Sequence, residues 1–241
     1  MVYTDSYIDI YQIRNTIDIE KINEYIYLLI DKLDKRMLKL LIINKFYLLD
    51  EFNWAKIFDK LIYIFDYNLE YFYTYNYDKM NIIDIWKYLF PYIEKYINKE
   101  DIQNKFYNYD LNKIVALKNS KPILKLIDKY VISWNHIDNF NYIPIMDCAK
   151  YSDVKTFKYL FSKIKNYIIL RNTSHLGEDF ISCVLRNSSL LILKFLHKFL
   201  KNNIDIFVID HYSIDKYIQI VKHKKNKDFK TTINILYDII P

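Results

Sequence analysis

Glycine is almost absent from this chain, which has one glycine, Gly177, in 241 residues. A phosphate-binding loop requires several closely spaced glycines, so the sequence excludes this class of nucleotide site. The two cysteines and five histidines lie at spacings that match no zinc pattern. A nucleophile needs a base held beside it; Cys183 and His175 could be neighbours across a turn and a helix, but nothing in the sequence orients them. We therefore predict a protein that is not an enzyme, with no catalytic residue, no metal and no cofactor.

Long apolar runs are also absent. No stretch reaches about 18 apolar residues, so no membrane span is expected. Residues 1–5 provide no basic segment before an apolar run, and we expect no signal peptide. Cys148 occupies a position that takes small core residues, which favours a buried free thiol over half of a disulfide. These features fit an intracellular, reducing compartment.

The chain is rich in apolar residues and in tyrosine. Hydrophobic residues make up 52% of it, with 25 Tyr and 15 Phe, so disorder is not expected. The heavy use of Ile, Asn, Lys and Tyr is also what an AT-rich genome would produce. Tyrosine abundance alone is therefore poor evidence for a function.

Three segments follow one template, at a spacing of about 33 residues. The clearest copy covers residues 138–161. Asn108, Asn141 and Gly177 share one position of the template. Glycine, and after it Asn or Asp, enters the left-handed backbone region at low cost, so this position predicts a tight turn. A repeat of this length is typical of a solenoid.

Each copy is predicted to hold two helices after its turn, because apolar residues recur at helical and not at strand spacing. Capping residues and prolines tolerated in a first helical turn mark the helix starts. We expect no sheet, and helices that begin close to Asp110, Ser120, Ile143, Asp153, Asp179 and Ser189. The second helices are expected to bury Ile123, Leu124 and Ile127, then Val154, Phe157, Leu160 and Phe161, then Leu190, Leu193 and Leu196.

The order of turn, short helix, tight turn, second helix and long loop resembles the ankyrin repeat. The best copy matches the family pattern at Asn141, Ile143 to Met146, Cys148, Ala149, Ser152 and Thr156 to Leu160. The Thr and His of the family motif are missing from all three copies. Such degenerate copies are similar to the ankyrin repeats of giant DNA viruses and of AT-rich intracellular organisms. The resemblance implies an all-α fold, an ankyrin-like helical solenoid with a divergent helical N-terminal region.

The repeats also suggest how the chain is organised. Residues 1–100 are predicted to form a divergent helical N-terminal or capping region, with helices that start at Asp18 and Asn53 and a connecting segment at 69–80. A divergent end fits the plan, since solenoids need polar caps. Residues 101–241 are predicted to hold repeats at about 105–137, 138–173 and 174–209, with a degenerate last repeat at 210–241.

The ankyrin resemblance implies a partner-binding strip. In that family, variable residues on the turn and at the end of the first helix contact partners, and Tyr and Arg anchor interfaces more often than other residues. The positions carried over are Phe106, Tyr107, Tyr109, Asn139, Phe140, Tyr142, Lys150, Tyr151, His175 and Arg186. The alternative is that the tyrosines reflect genome composition and cover the core.

The net charge of +6 is unevenly distributed. Residues 1–120 hold 16 basic and 18 acidic residues, and residues 121–241 hold 19 and 11. Much of the excess lies in a basic patch of Lys222, Lys224, Lys225, Lys227 and Lys230. Such a run can bind phosphates or an acidic partner. The simpler interpretation is a solvated loop between two helices.

Two functional hypotheses follow. The first is a non-enzymatic scaffold or adaptor that binds an unidentified protein; a viral origin would place it in the host cytoplasm, acting on a host protein. The second is an accessory protein that binds nucleic acid or an anionic surface through the basic C-terminal half. Rising salt should weaken nucleic-acid binding steeply and an aromatic protein interface little.

Overall fold

The computed structural model describes residues 10–74, 79–108, 111–135, 137, 141–164, 170–171, 173–187, 190–201, 211–223 and 229–239. Within these ranges the structure contains fourteen α-helices and no β-strand. The chain divides into two compact units, Met1–Asn104 and Lys105–Pro241. The prediction of an all-helical protein is confirmed for the described residues.

The first unit contains long helices whose starts are set by side-chain caps. Asp18 accepts hydrogen bonds from the backbone N–H groups of Glu20 and Lys21, and Asn53 accepts one from that of Lys56. The elements are α1 (Ile10–Asn15), α2 (Ile19–Asp31), α3 (Lys35–Asn44), a 3₁₀ helix (Phe46–Glu51), α4 (Trp54–Thr74) and α5 (Lys79–Tyr96), with α6 (Lys99–Asn108) at the boundary between the units.

The core of the first unit lies among α2, α3, α4 and α5, which contact one another. The predicted apolar positions are buried, among them Ile22, Ile26, Leu38, Leu41, Ile57, Phe58, Leu61, Trp86, Phe90 and Ile93. Two predictions were wrong. The helical spacing of Leu38, Leu41, Ile42 and Phe46 predicts that all four share one helix, but Phe46 lies in the 3₁₀ helix and is 66% exposed. Residues 69–74 belong to α4 and not to a connecting segment. The Tyr and Phe residues at 69–74 continue the helical spacing of α4, so the predicted connecting segment was placed too early in the chain.

The second unit consists of helix pairs. The described helices among those predicted from capping residues begin where they were expected. Its elements are α7 (Leu111–Ala116), α8 (Lys121–Ile127), α9 (Pro144–Tyr151), α10 (Val154–Phe161), α11 (Phe180–Arg186), α12 (Leu190–Lys201), α13 (His211–His223) and α14 (Phe229–Ile239). Asp153 and Asp179 cap α10 and α11 through their carboxylates. Ser120 and Ile143 precede α8 and α9 without a side-chain bond. Asp110 and Ser189 lie outside the described residues.

Equivalent helices of successive pairs contact one another. The first helices do so in the order α7, α9, α11, α13, and the second helices in the order α8, α10, α12, α14. The two helices of each pair also make contact. This arrangement lets every pair bury the apolar face of its neighbour, which a single pair could not do alone.

The apolar positions predicted for the pairs form this core. Ile145, Cys148 and Ala149 of α9 are fully buried, and the second helices bury Ile123, Leu124, Ile127, Phe157, Leu160, Phe161, Leu193 and Leu196. Val154 and Leu190, the first residues of α10 and α12, are only half-buried. Phe157 connects adjacent pairs, with ring centroids 6.3 Å from Phe180 and 6.1 Å from Phe195.

The predicted turn position is left-handed in two of the three copies. Asn141 has φ 65° and Gly177 has φ 72°. Asn108 is instead the last residue of α6, so its assignment to a turn was wrong. Asn119, which follows α7, has φ 63°. Asparagine thus takes left-handed positions that glycine would occupy in a chain with more glycine.

Substitutions at the two turns should separate backbone strain from lost contacts. Nothing lies within 4 Å of a Cβ built on Gly177, so Gly177→Val should cost about 1–3 kcal/mol through strain alone, and Gly177→Asn much less. Asn141→Gly relieves strain but removes a hydrogen bond to the Thr173 carbonyl, for a net cost below about 1 kcal/mol. Without that hydrogen bond, the conformational freedom of glycine alone would make Asn141→Gly neutral or slightly stabilising. Chemical unfolding measures all three, and a tolerated Gly177→Val would contradict the left-handed assignment.

The packing between α9 and its neighbours predicts a second effect. Ala149 is fully buried, so Ala149→Leu should overpack the core and cost about 1–3 kcal/mol. Ala55, on the exposed side of α4, offers a matched control, and Ala55→Leu should leave the unfolding midpoint nearly unchanged. Equal midpoints for the two variants would show that Ala149 tolerates added volume.

Candidate functional site

A small turn before α11 forms the most exposed part of the predicted strip. The N–H of Gly177 donates to the Ser174 carbonyl at 2.9 Å, and the N–H of Ser174 donates to the Glu178 carbonyl at 2.8 Å. Thr173 and Asp179 form an isolated antiparallel bridge that closes the turn. We call residues 173–179 the finger turn. Its tip presents His175 and Leu176 to solvent, the latter with 76% of its surface exposed.

The finger turn is held by the helix pairs on both sides of it. The amide of Asn141 donates to the carbonyl of Thr173 at 2.6 Å. On α13, the Lys216 ammonium donates to the Gly177 carbonyl at 2.7 Å and to the Asp179 carboxylate at 2.9 Å. Lys216 was not among the predicted residues, because no sequence pattern links it to a turn 37 residues earlier.

Glu178 is a nearly buried carboxylate on which three side chains converge. The Lys150 ammonium lies 2.7 Å from its Oε2, and the Nε of Arg186 lies 2.6 Å from its Oε1. The Tyr142 hydroxyl also donates to Oε2. Glu178 and Lys150 expose 10% and 18% of their side chains, so this cluster is largely shielded from water.

The cluster shifts the titration of its members. Burial alone would raise the pKa of Glu178, but hydrogen bonds from Lys150 and Tyr142 and the charge of Arg186 outweigh it and lower that pKa. Burial and the bond to Glu178 raise the pKa of Tyr142 to about 12, so its hydroxyl remains a donor at neutral pH. Burial opposes the charge of Lys150, but the bond to Glu178 raises the pKa of that lysine overall.

The ends of the first helices are tied to one another through side chains. The hydroxyl of Ser152, after α9, donates to the Leu117 carbonyl at the end of α7 at 3.0 Å. The amide of Asn187, after α11, donates to the carbonyls of Ala149 and Ser152 at 2.8 and 3.0 Å. These bonds satisfy carbonyls that a helix end leaves without an intrahelical partner.

Asp153 likewise bonds a backbone group of the preceding copy, in this case in a turn. Its carboxylate caps α10 through the N–H groups of Lys155 and Thr156, and it also accepts the N–H of Asn119 in the preceding copy at 2.6 Å. Burial would raise the pKa of Asp153, but these hydrogen bonds lower it overall. The sequence predicted the cap; the bond to Asn119 was not predicted, because it depends on how successive copies stack.

The predicted partner-binding residues fall into four groups. Tyr107, His175 and Arg186 are exposed, while Lys150, a member of the Glu178 cluster, and Tyr151 are half-buried. Phe106 and Tyr142 are only 2% and 7% exposed, so we remove both from the candidate surface: Phe106 packs into the core, and Tyr142 serves Glu178. The remaining three lie outside the described residues: Tyr109, Asn139 and Phe140.

The basic patch is only partly described. Lys222, at the end of α13, and Lys230, in the first turn of α14, are both exposed. Lys224, Lys225 and Lys227 lie outside the described residues. The described flanks therefore give no geometry for the patch as a whole.

Tyr107 lies apart from the finger turn, at a cleft of about 330 Å³. The cleft is mostly apolar at its rim, where Tyr107 is 60% and Ile132 71% exposed. Its other lining residues are Phe106, Leu111, Val131, Ser133, Asn135 and Ile137.

Two chemical features of the described residues bear on the search for a site, the cysteines and the potential metal ligands. Cys148 and Cys183 are free and buried, and burial raises the pKa of both thiols, so neither is a ready nucleophile. Among the described residues, no group of three His, Cys, Asp or Glu side chains is placed to hold a metal ion. No helix in the described ranges is long and apolar enough to cross a membrane.

Comparison with known proteins gave no match to a family model, to a curated protein or to a solved structure.

The Glu178 cluster predicts a pH-dependent contribution to stability. Glu178→Gln leaves Lys150 without its anion and should cost about 2–4 kcal/mol at neutral pH. Because folding lowers the pKa of Glu178, its contribution is present above the ordinary value of 4.5 and is lost as the pH falls through the lowered pKa. The difference between wild type and variant should therefore shrink on acidification.

Unfolding by urea at a series of pH values measures this difference. Glu24→Gln, at an exposed position of α2, removes the same charge without a buried partner and should change little. A stability difference for Glu178→Gln that does not depend on pH would contradict the ion-pair assignment.

Proposed function

We propose that this chain is a non-enzymatic protein-interaction scaffold, an ankyrin-like helical solenoid whose partner binds at the finger turn. One observation carries the proposal. Hydrogen bonds join positions one repeat apart throughout the second unit, at separations of 32 residues for Asn141 with Thr173, 35 for Ser152 with Leu117 and 36 for Tyr142 with Glu178. Bonds at this period, between helix pairs that contact in series, are what a stacked repeat array requires.

The finger turn has the properties of a contact surface. Its exposed tip carries an apolar and an aromatic side chain, Leu176 and His175, beside the half-exposed Arg186. The ion pair with Glu178 and the bonds from Asn141 and Lys216 hold this surface in place. A surface that is already ordered loses less conformational entropy on binding, which favours its use as an interface.

The partner in this proposal is another protein, and the role is recruitment. The composition resembles that of giant DNA viruses and AT-rich intracellular organisms; with such an origin, the partner would be a host protein in the host cytoplasm. The rival hypothesis, nucleic-acid binding through the basic patch, has no support from the described flanks beyond the exposure of Lys222 and Lys230.

Quantitative proximity labelling in the source cell tests the scaffold proposal. The double variant His175→Ala/Leu176→Ala removes the tip without touching the Glu178 cluster. We expect at least one protein to lose about tenfold or more of its labelling, as is typical when an interface anchor is truncated. A matched control, His223→Ala/Leu191→Ala, removes the same residue types from exposed positions elsewhere and should leave the labelling unchanged.

The purified partner then separates the two hypotheses. Its affinity should change little between 50 and 300 mM salt, because a tip of His175 and Leu176 releases few counterions. Identical labelling by both double variants would contradict the proposal. Partner labelling that depends on nucleic acid, and is lost after nuclease treatment, would favour the rival hypothesis instead.

A further inference from the structure

The second helices of the central pairs carry charge of one sign. The segments of α8, α10 and α12 read KPILKLI, VKTFKYLF and LLILKFLHKFLK. They contain seven lysines and no Asp or Glu. Since these helices contact one another in the order α8, α10, α12, their outer sides form one basic face.

Three lysines occupy the same position on successive helices of this face. Lys125, Lys158 and Lys194 correspond to one another in the repeat template, and all three are exposed. We call them the lysine row. Packed helices lie about 8–10 Å apart, so the row extends over about 20 Å. The Lys158 ammonium lies 4.9 Å from the ring centroid of Phe195, so the side chain of Lys158 on α10 reaches α12.

The carboxylates nearest this face are already committed to other groups. Asp128, after α8, accepts hydrogen bonds from Lys163 and Trp134. Asp153 caps α10 and binds the backbone of Asn119. Asp238 of α14 pairs with His197. Lys163 balances the charge of Asp128, and Asp153 keeps its charge while it caps α10, so the lysines of this face outnumber the uncompensated carboxylates beside it.

We infer that the lysine row binds the phosphate backbone of duplex nucleic acid, independently of base sequence. Lysine ammonium groups attract phosphates as point charges, and contacts to phosphates carry no sequence information. Proteins that hold single strands stack bases on open aromatic rings. Here the aromatic rings of the face already carry ammonium groups: Lys121 and Lys163 lie 5.9 and 5.3 Å from the Tyr159 centroid. Contacts limited to the backbone favour a duplex, whose phosphates line its surface.

The lysine row lies on the second helices, whereas the finger turn precedes the first helix α11, so the two sites share no residue. Loss of duplex binding would leave the protein-scaffold proposal intact, and the reverse also holds. It also differs from the basic patch at residues 222–230, so the two lysine groups can be tested against each other.

Fluorescence anisotropy with a labelled mixed-sequence DNA duplex, titrated with the full chain between 50 and 200 mM salt, provides the test. The triple variant Lys125→Gln/Lys158→Gln/Lys194→Gln should weaken binding about tenfold or more at the lower salt. It should also reduce the slope of log K against log salt by about 2.7, which is the counterion release of three phosphate contacts. The triple Lys→Arg variant keeps the charge and should bind like wild type.

Two control variants locate the effect. Lys21→Gln/Lys87→Gln/Lys99→Gln removes the same charge from exposed positions of the first unit and α6. Lys222→Gln/Lys230→Gln removes the described part of the basic patch. Both should retain the wild-type slope, and thermal melts check that every variant is folded.

Competitors identify the ligand. The inference would be overturned by equal losses in the row variant and the first control, by a slope that the row variant leaves unchanged, or by no binding of wild type to the duplex at 50 mM salt. Tighter binding to a single strand, to polyglutamate or to vesicles containing phosphatidylserine would assign the row to another anionic partner and would also overturn it.

Discussion

Short helices leave most of their terminal backbone groups without partners, and this constraint governs the second unit. The first helices α7, α9 and α11 have six, eight and seven residues, whereas an α-helix leaves four N–H and four C=O groups unsatisfied at its ends. Ser152 and Asn187 supply donors to the carbonyls at the end of the preceding first helix. Neighbouring helix pairs thus supply hydrogen-bond partners to each other's helix ends.

The same constraint gives the unit two different surfaces. The turns lie next to the bonds that join successive pairs, so the finger turn is fixed by Asn141, Lys216 and the ion pairs of Glu178. The second helices have no such role on their outer side and can carry unpaired lysines such as Lys125 and Lys194. An ordered turn suits recognition of a shaped protein partner, and a row of solvated lysines suits a uniform chain of phosphates.

Local rules succeeded where a residue acts on its own neighbours in the chain. Asp153 and Asp179 begin helices as predicted, because capping depends on groups two or three residues away. The rules failed where the outcome depends on a distant residue. Tyr142 is of a residue type that is common at protein interfaces, yet it is buried against Glu178, 36 residues later. Asn108 fits the turn template, yet it ends α6, since a template cannot show that the preceding helix continues into it.

The sequence by itself determined the helical class, the helix starts, the buried apolar positions and the left-handed turns at Asn141 and Gly177. Each of these follows from periodicity, capping or backbone freedom, which act over a few residues. Only the tertiary structure decided which polar side chains are exposed. Glu178 and Arg186 belong to one copy and Lys150 to the copy before it. Whether these residues form a shielded ion pair or a free charged surface depends on the stacking of the two copies, because a carboxylate is stable in a buried place only where cations reach it.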